Sequence, residues 1–285
     1  MESIVLGKLL GSGAASDVYE CGPGRVCKLY KPNIDNVKYE YNKMREAYEV
    51  GMNVPRPYAL VEINGRRGYI MERIEGVSLM ETLLAHLKLC FEKGISNQEI
   101  FESDIIQSQI KTTAAILAEF HAHACKLHET SKMSLSNGCQ YNTYLTAKEK
   151  AVVQDLIAEL PDGDSLCHGD PNPGNFIKLG DNIRVIDWNN SVKGHFMHDI
   201  AEYVFTMHYA DVSLDWPTDA FGFIQEYQDE FSRVLLDAYA KITENDLSEL
   251  DAWKIPVLVS KMGGNNPNKK QERLLHDIRE SLRKL

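Results

Sequence analysis

The sequence lacks the features that define several large classes of protein. Its six cysteines form neither a CxxC pair nor a metal-ligand spacing, which favours reduced thiols packed inside a cytosolic protein. No apolar run approaches the roughly 20 residues needed to cross a bilayer. Residues 1–10 also lack the basic region and the long apolar run of a secretory signal. We therefore expect a cytoplasmic protein that does not bind a membrane.

A predominantly basic surface is lacking as well. The formal net charge is −10, whereas nucleic-acid binding needs a basic face that neutralises phosphates, so we expect no nucleic-acid partner. The charge is uneven. Residues 195–252 contain thirteen Asp or Glu and only two basic residues, Arg233 and Lys241, while the tail from Lys269 is rich in Lys and Arg.

The order of strand and helix patterns predicts an α+β protein. Residues 4–72 are β-rich around one predicted helix, and the pattern becomes helical after Gly76. The strand candidates are residues 4–10, 17–20, 25–30, 58–63, 69–71 and 184–187; the helices are 36–50, 78–93, 107–128 and 147–159, with later breaks near Pro217, Pro256 and Gly263. We predict two lobes: a small β-rich N-terminal lobe, residues 1–74, and a larger, mainly helical C-terminal lobe, residues 75–285.

One loop and the strand after it carry the strongest chemical pattern. Asp170 and Asn175 lie five residues apart in a loop that contains two prolines, and Asp187 follows twelve residues later at the end of a strand candidate. An Asp can accept a hydrogen bond from a substrate hydroxyl. Asn and Asp side-chain oxygens suit Mg²⁺. The alternative is a polar turn between two strands, but the whole pattern favours a phosphoryl-transfer centre.

Two weaker patterns precede it. Gly11, Ser12 and Gly13 separate two strand candidates, and their small side chains would let backbone N–H groups approach phosphate oxygens. An ordinary hairpin turn would look the same. Lys28 stands among apolar residues in a strand candidate and could pair with Glu40 of the next helix, or face water at a sheet edge.

These residues resemble those of the aminoglycoside phosphotransferase and choline kinase family, a branch of the protein-kinase-like fold. The family's catalytic loop, H-G-D-x-x-x-x-N, matches residues 168–175, and its metal strand, I-D-W, matches residues 186–188. Three lesser motifs also agree, at residues 54–57, 117–121 and 199–201, so the resemblance spans about residues 4–205.

The resemblance implies a two-lobed protein-kinase-like fold and an enzyme that uses ATP and Mg²⁺. Asp170 would be the catalytic base or hydroxyl-orienting group, and Asn175 and Asp187 would bind Mg²⁺. Lys28, held by Glu40, would contact the phosphates of ATP.

The resemblance also implies where the rest of the nucleotide binds. Gly11, Ser12 and Gly13 would cover the phosphates, and backbone groups near Glu72 to Ile74 would bind adenine. The implied structural residues are His168, His121 and Asp199. One departure is Ser16, which stands where protein kinases have a third glycine.

The expected acceptor is a small molecule. Asn172 stands where protein kinases usually have Lys, and only eleven residues separate Asp187 from Asp199, too few for a peptide platform. The acidic stretch, with Tyr209, Trp216 and Tyr227, would suit an amine-bearing acceptor such as an aminoglycoside or amino alcohol. Its Asp and Glu could equally be a solvated face.

Two alternative hypotheses for the function are compatible with the sequence. A neutral sugar, homoserine or a macrolide would need the same chemistry. A nucleotide-binding pseudokinase regulator would be expected to lose Lys28, Asp170 or Asp187, and all three are present.

Overall fold

The protein is described from a computed structural model that covers residues 4–13, 15–34, 36–209, 220–262 and 269–284. By residue contacts the chain groups into two compact units. Unit 1 comprises Met1–Met80 and Pro173–Ser191, and unit 2 comprises Glu81–Asn172 and Val192–Leu285. The predicted lobes, residues 1–74 and 75–285, stay a prediction, since these units divide the chain at other positions. Of the predicted breaks, those near Pro217 and Gly263 lie outside the described residues.

The elements of the described chain follow a strand-rich and then a helix-rich order. The strands are β1 (Leu9–Ser12), β2 (Ser16–Glu20), β3 (Arg25–Tyr30), β4 (Pro57–Ile63), β5 (Arg66–Glu72), β6 (Val77–Ser78), β7 (Ser165–Cys167), β8 (Phe176–Leu179), β9 (Asn182–Val185) and β10 (Val192–Gly194). The helices are α1 (Val37–Glu49), α2 (Leu79–Glu92), α3 (Asn97–Glu102), α4 (Asp104–Ala122), α5 (Ser131–Tyr141), α6 (Ala147–Glu159), α7 (Met197–His208), α8 (Ala220–Thr243), α9 (Leu250–Lys261) and α10 (Lys269–Leu282). Two 3₁₀ turns span Pro173–Asn175 and Trp188–Asn190.

Unit 1 is built on an antiparallel sheet of order β1-β2-β3-β5-β4. Strands β4 and β5 form a hairpin with a tight two-residue turn at Asn64 and Gly65. Asn64 and Gly65 both have positive φ, 51° and 73°, as a two-residue turn that matches the strand twist requires. A second, three-stranded sheet of order β6-β8-β9 belongs to the same unit.

The first strand differs from its prediction. It was expected at residues 4–10 and lies at Leu9–Ser12, so Gly11 and Ser12 belong to the strand and not to a loop. The pairing with β2 shifts register between Leu9 and Gly11 and then continues to the pair Ser12 and Asp17. The hydroxyl of Ser12 also donates to the carboxylate of Asp17 at 2.7 Å. The pairing of β1 with β2 therefore continues past the apolar residues of the strand.

Unit 2 has a helical core formed by residues of α5, α6, α7, α9 and α10. Pro256 was predicted to break the helix, and that prediction is wrong because it lies inside α9. A helix-interior proline costs about 3 kcal/mol. Burying a large apolar side chain contributes roughly 1.5–3 kcal/mol, and Trp253, Val257 and Leu258 of the same helix are all buried.

Two helices of unit 2 were missed. Helix α3 begins with a capping box formed by Ser96 and Glu99, a spacing that is visible in the sequence. Helix α5 contains Gly138. A Cβ at Gly138 would lie 2.7 Å from the Cβ of Ser260 on α9, so the glycine permits close packing of two helices. Within the described ranges, no helix has both the length and the apolar character that crossing a membrane requires.

Candidate functional site

The glycine-containing segment of unit 1 is an exposed strand end. Gly13 donates its backbone N–H to the carbonyl of Ser16 at 2.8 Å, while the carbonyl of Gly13 accepts from the Lys31 ammonium at 2.5 Å. A Cβ at Gly11 would meet no atom within 4 Å, so packing in this structure does not require glycine there. Ala14, the residue after Gly13, lies outside the described residues.

Asp17 of β2 holds Ser12 in place from across the turn. Its carboxylate accepts from Ser12 Oγ at 2.7 Å and from the guanidinium of Arg66 at 2.6 Å. The hydrogen bond from Ser12 and then that from Arg66 lower the pKa of Asp17. The two ends of the turn are therefore tied together, and Gly11, Ser12 and Gly13 remain exposed.

Lys28 and Glu40 form a largely buried ion pair in unit 1. The ammonium of Lys28, on β3, lies 2.5 Å from Oε1 of Glu40, in the first turn of α1. The hydroxyl of buried Tyr69 donates to the same carboxylate oxygen at 2.8 Å. Burial and then the charge of Glu40 raise the pKa of Tyr69 well above its usual range, so it stays a donor. A buried carboxylate needs such partners, and together they fix the position of the lysine.

Asn175 and Asp187 flank the β8–β9 hairpin of the same unit. Asn175 ends a 3₁₀ turn, and its carbonyl accepts from the N–H of Ile186 at 2.9 Å. This bond brings the backbone of Asn175 beside the residue that precedes Asp187. The predicted strand 184–187 ends at Val185, so Asp187 lies beyond it.

Asp187 has an unusual backbone and an exposed carboxylate. Its φ of 64° and ψ of 61° are left-handed, a conformation rare for residues other than glycine and concentrated at functional sites. The next residue, Trp188, is buried and donates its indole N–H to the carbonyl of Val185 at 3.1 Å. Among the described residues, no hydrogen bond or ion pair involves the Asp187 side chain. Its charge contributes to raising the pKa of Tyr69, so it belongs to the neighbourhood of Glu40.

Some of the backbone groups that were predicted to bind adenine already form hydrogen bonds within the protein. The N–H of Glu72 donates to the carbonyl of Arg56 at 2.9 Å, and the Glu72 carboxylate pairs with Arg184 at 3.0 Å. Arg73 uses its N–H on the carbonyl of Gly24. Within the described ranges the backbone of Ile74 makes no hydrogen bond, so Ile74 is the better candidate of the two predicted residues.

Asp170 belongs to unit 2 and follows strand β7. The side-chain amide of Asn172 donates to Oδ1 of Asp170 at 3.1 Å, and the N–H of Asn172 donates to the Asp170 carbonyl at 2.8 Å. The N–H of Asp170 donates to Nδ1 of His168 at 3.3 Å. His168 is fully buried and stacks on Phe120, with ring centroids 5.8 Å apart. The half-buried carboxylate of Asp170 thus lies in a turn whose backbone is hydrogen-bonded to Asn172 and His168.

The backbone before Asp170 is anchored by Asp199. This buried carboxylate, in the first turn of α7, accepts from the N–H of His168 at 2.6 Å and of Gly169 at 2.8 Å. Burial alone would raise the pKa of Asp199, but the hydrogen bond and charge of His121, 3.4 Å away, lower it overall. The ring of His121 is in turn fixed by the hydroxyl of Tyr239 at 2.7 Å.

Two residues close to this loop were not predicted. Lys261 of α9 donates to the carbonyl of Gly169 at 3.1 Å and forms an ion pair with Glu202 of α7 at 2.7 Å. Glu202 was visible as an acidic residue three positions after Asp199, a helical spacing. Nothing in the sequence indicated that Lys261 lies near this loop, because the predicted break at Pro256 separated it from the preceding helix.

The acidic stretch is less open than predicted. Asp211, Asp215, Trp216 and Asp219 lie outside the described residues. Tyr227 is 1% exposed and stacks on Phe101. The ring of Tyr209 is covered by Arg273, whose guanidinium lies 5.1 Å from the ring centroid. Neither tyrosine therefore presents a free face to an amine.

Part of the acidic stretch does line a pocket of unit 2. It lies between α3 and α8 and has a volume of about 440 Å³. The lining residues are Asn97, Gln98, Phe101, Glu102, Glu226 and Glu230. Glu226 accepts from Asn97 at 2.8 Å, and Glu230 pairs with Arg233 at 2.6 Å. Asp229, on the same helix, pairs with His208 at 2.7 Å.

The geometry can be compared with known proteins. A model described as the phosphotransferase enzyme family, APH, matches residues 103–253. A search of the curated proteins found no matching sequence.

Solved structures match almost the whole chain. The amicoumacin kinase hAmiN, in complex with AMP-PNP and Ca²⁺, is 15% identical with a TM-score of 0.62, covering 97% of this chain and 87% of the other. A choline/ethanolamine kinase family protein from Mesorhizobium loti is 14% identical with a TM-score of 0.58, covering 97% and 87%. A thermostable mutant of the aminoglycoside phosphotransferase APH(4)-Ia, with AMP-PNP and hygromycin B, is 12% identical with a TM-score of 0.62, covering 99% and 94%. These likenesses show the fold, and the predicted α+β, protein-kinase-like fold is confirmed.

Proposed function

This chain belongs to the phosphotransferase enzyme family, whose model matches more than half of its length, and on that premise we propose that it transfers the γ-phosphate of ATP to a hydroxyl of a small, amine-bearing molecule. The family resemblance and the enzyme class, an ATP-dependent small-molecule phosphotransferase, are confirmed by that membership. The residue roles, the metal ion and the chemistry of the acceptor are the content of the proposal. The observation that carries it is the charge arrangement of unit 1: a lysine fixed by a buried carboxylate, and a second carboxylate, Asp187, that forms no ion pair among the described residues.

Lys28 is the cation for the α- and β-phosphates. Its ammonium is held on one side by Glu40, which leaves the side chain 18% exposed. A fixed ammonium stabilises phosphate charge without having to reorganise during the reaction. The exposed backbone of Gly11, Ser12 and Gly13 covers the phosphates, and Ile74 offers backbone groups to adenine.

Asn175 and Asp187 are the ligands for Mg²⁺. Their amide and carboxylate oxygens are the hard donors that this ion prefers. Within the part of the chain that the structure describes, the carboxylate of Asp187 forms no ion pair. When bound there, Mg²⁺ would supply positive charge that offsets the negative charge developing during transfer.

Removal of the Asp187 charge should therefore abolish transfer. We expect Asp187→Asn to lose at least about 100-fold in rate, because an amide is a weaker ligand for Mg²⁺, while the fold survives. The rate is measured as a function of Mg²⁺ concentration, with Asp181→Asn as the control, since Asp181 is exposed in the turn of the same hairpin. Near-normal rates in Asp187→Asn would show that the metal assignment is wrong.

Asp170 orients the acceptor hydroxyl. Its carboxylate, held by Asn172, accepts the hydroxyl proton as the hydroxyl oxygen bonds to the γ-phosphorus and the bond to the bridging oxygen of ADP breaks. The products are the phosphorylated acceptor, ADP and one proton released from Asp170. General-base assistance of this kind contributes about 10²- to 10⁴-fold.

An amine-bearing acceptor is favoured by the acidic pocket between α3 and α8. Carboxylates raise the local concentration of a cation, although Glu226 and Glu230 also have partners within the protein. The buried faces of Tyr209 and Tyr227 give no support to a cation–π site. A neutral sugar, homoserine or a macrolide therefore remains the second candidate class, supported by the same catalytic groups.

An acceptor panel combined with one variant tests the function. ADP release from ATP and Mg²⁺ is followed with aminoglycosides, amino alcohols, neutral sugars, homoserine and macrolides. We expect turnover with amine-bearing compounds, and a loss of at least about 100-fold in Asp170→Ala. Asp164→Ala is the control, because Asp164 is exposed just before β7. Transfer that persists in Asp170→Ala would refute the mechanism, and nucleotide binding without turnover on the whole panel would favour a regulator.

A further inference from the structure

Both sides of Gly169 are held by charged side chains. Its N–H donates to the carboxylate of Asp199 at 2.8 Å, and its carbonyl accepts from the ammonium of Lys261 at 3.1 Å. Gly169 has a φ of +74°, in the left-handed region that glycine enters at little cost. A glycine in this region rotates easily in the absence of such contacts. The direction in which the chain enters Asp170 therefore depends on its two partners.

Helix α7 positions both charged groups that bind Gly169. Asp199 and Glu202 lie three positions apart, so their side chains lie on one face of the helix. Asp199 binds the backbone directly, whereas Glu202 acts through Lys261, at 2.7 Å. Helix α7 thus holds the Gly169 N–H with one carboxylate and the lysine that holds the Gly169 carbonyl with the other.

The side chain of Lys261 is held beside a buried carboxylate. Glu202 is almost fully buried, with 4% of its side chain exposed, and 28% of the Lys261 side chain is exposed. Burial by itself would lower the pKa of Lys261, but the charges of Glu202 and then Asp170 raise it overall. Lys261 is therefore a cation close to the Asp170 carboxylate, with one donor on the backbone that leads to that residue.

We propose that Lys261 is a positioning residue for phosphoryl transfer: held by Glu202, it fixes the carbonyl of Gly169 and so aims the carboxylate of Asp170 at the acceptor hydroxyl. This inference rests on the proposed role of Asp170. Misplacement of a reacting group by about 1 Å can cost on the order of 100-fold in rate. A plain structural ion pair between α7 and α9 would affect stability but not the aim of Asp170.

The test separates these two roles with four variants. Lys261→Met removes the contact but leaves Glu202 buried without its cation, which can destabilise the fold. Lys261→Met combined with Glu202→Gln removes that charge as well. Lys261→Arg keeps a cationic donor. Lys254→Met, on the same helix, is the matched control, because the Lys254 side chain forms no hydrogen bond or ion pair within the described ranges.

The first readout needs no acceptor and no activity. The N–H of Asp170 belongs to the same planar peptide group as the Gly169 carbonyl, so its ¹⁵N chemical shift and its amide exchange rate report the Lys261 contact. We expect a shift and about 10-fold or faster exchange at Asp170 in both Lys261→Met proteins, against no change in Lys254→Met. Unchanged Asp170 signals would overturn the inference, whatever the enzyme does.

The second readout is kinetic. Phosphate release from ATP and Mg²⁺ to water, together with the best acceptor of the panel, gives kcat and the KM for ATP. We expect the double variant to be as stable as the wild type, with kcat lowered about 10- to 100-fold, the KM for ATP within about 3-fold, and partial recovery in Lys261→Arg. Recovery of kcat together with stability in the double variant would overturn the inference. Full turnover in Asp170→Ala would instead refute the proposed function and leave the Asp170 amide result standing.

Discussion

Two buried carboxylates on one face of α7 have pKa values that are shifted in opposite directions. Burial would raise the pKa of Asp199, but the hydrogen bond and charge of His121 outweigh it and lower the pKa overall. Glu202 has burial as its largest influence and Lys261 as its counter-ion, and its pKa is raised to about 7. The contrast follows from the neighbouring charges, because histidines lower the pKa of Asp199 whereas Asp199 and Asp170 raise that of Glu202.

The raised pKa of Glu202 predicts a particular pH dependence of stability. The folded-state pKa of about 7 lies above the ordinary value of 4.5. The contribution of Glu202 to the free energy of unfolding is therefore fully present below pH 4.5 and is lost as the pH rises through 7. We expect that contribution to fall by about 3 kcal/mol between pH 4.5 and 8.

Urea denaturation of the wild type and Glu202→Gln at several pH values measures this contribution as a difference. The charged groups that act on Glu202 are Lys261 on α9, Asp199 on α7 and Asp170 in the loop, and all of them are unchanged in this variant. If the two proteins show parallel profiles from pH 4.5 to 8, Glu202 does not titrate in that range.

At the scale of elements, α6 and α10 are joined by one side chain. Glu149 completes a capping box with Thr146 at the start of α6, and its other oxygen accepts from Arg279 of α10 at 2.8 Å. The hydrogen bond from Arg279 is the main cause that lowers the pKa of Glu149 to about 2. Glu149 thus serves as a helix cap and as the counter-ion that docks the basic tail helix on unit 2.

We expect Glu149→Gln to destabilise unit 2 by about 1 kcal/mol, because the amide weakens both the cap and the ion pair. The stabilising contribution of Glu149 is present above pH 4.5 and is lost as the pH falls towards 2, so the variant should match the wild type in strong acid. Thermal unfolding at pH 7 and pH 3 measures the difference between the two proteins, which should be smaller at pH 3 than at pH 7. Glu159→Gln, at the exposed end of the same helix, is the control, and an equal loss in both variants would refute the role of Glu149.

For the whole molecule, the features carried by local patterns were predictable. The turn at Asn64 and Gly65, the helix that presents Glu40, and the loop with Asp170 and Asn175 are all specified within a few residues of sequence. The family motifs likewise predicted the fold, because they lie at fixed spacings along the chain.

Contacts between distant segments were not predictable. Lys261 meets Gly169 across 92 residues, and this depends on how α9 packs against α7. Pro256 was predicted to be a helix break, because the sequence does not show that the residues around it are buried. Their burial depends on helices elsewhere in unit 2. Likewise, the aromatic residues near the acidic stretch suggested an open amine site, but Tyr227 packs against Phe101 and Arg273 covers Tyr209.

The sequence order of unit 1 has a consequence for its synthesis. Part of the unit, Pro173–Ser191, is encoded after more than ninety residues of unit 2. Asn53 donates to the carbonyl of Ile183, and Lys43 donates to the carbonyl of Asn189 at 2.8 Å. On the ribosome, these partners do not exist until translation has passed residue 189. The five-stranded sheet can emerge and pair early, but the segment with Asn175 and Asp187 completes the unit only late in translation, so a nascent chain acquires its proposed metal ligands long after its proposed phosphate-binding lysine.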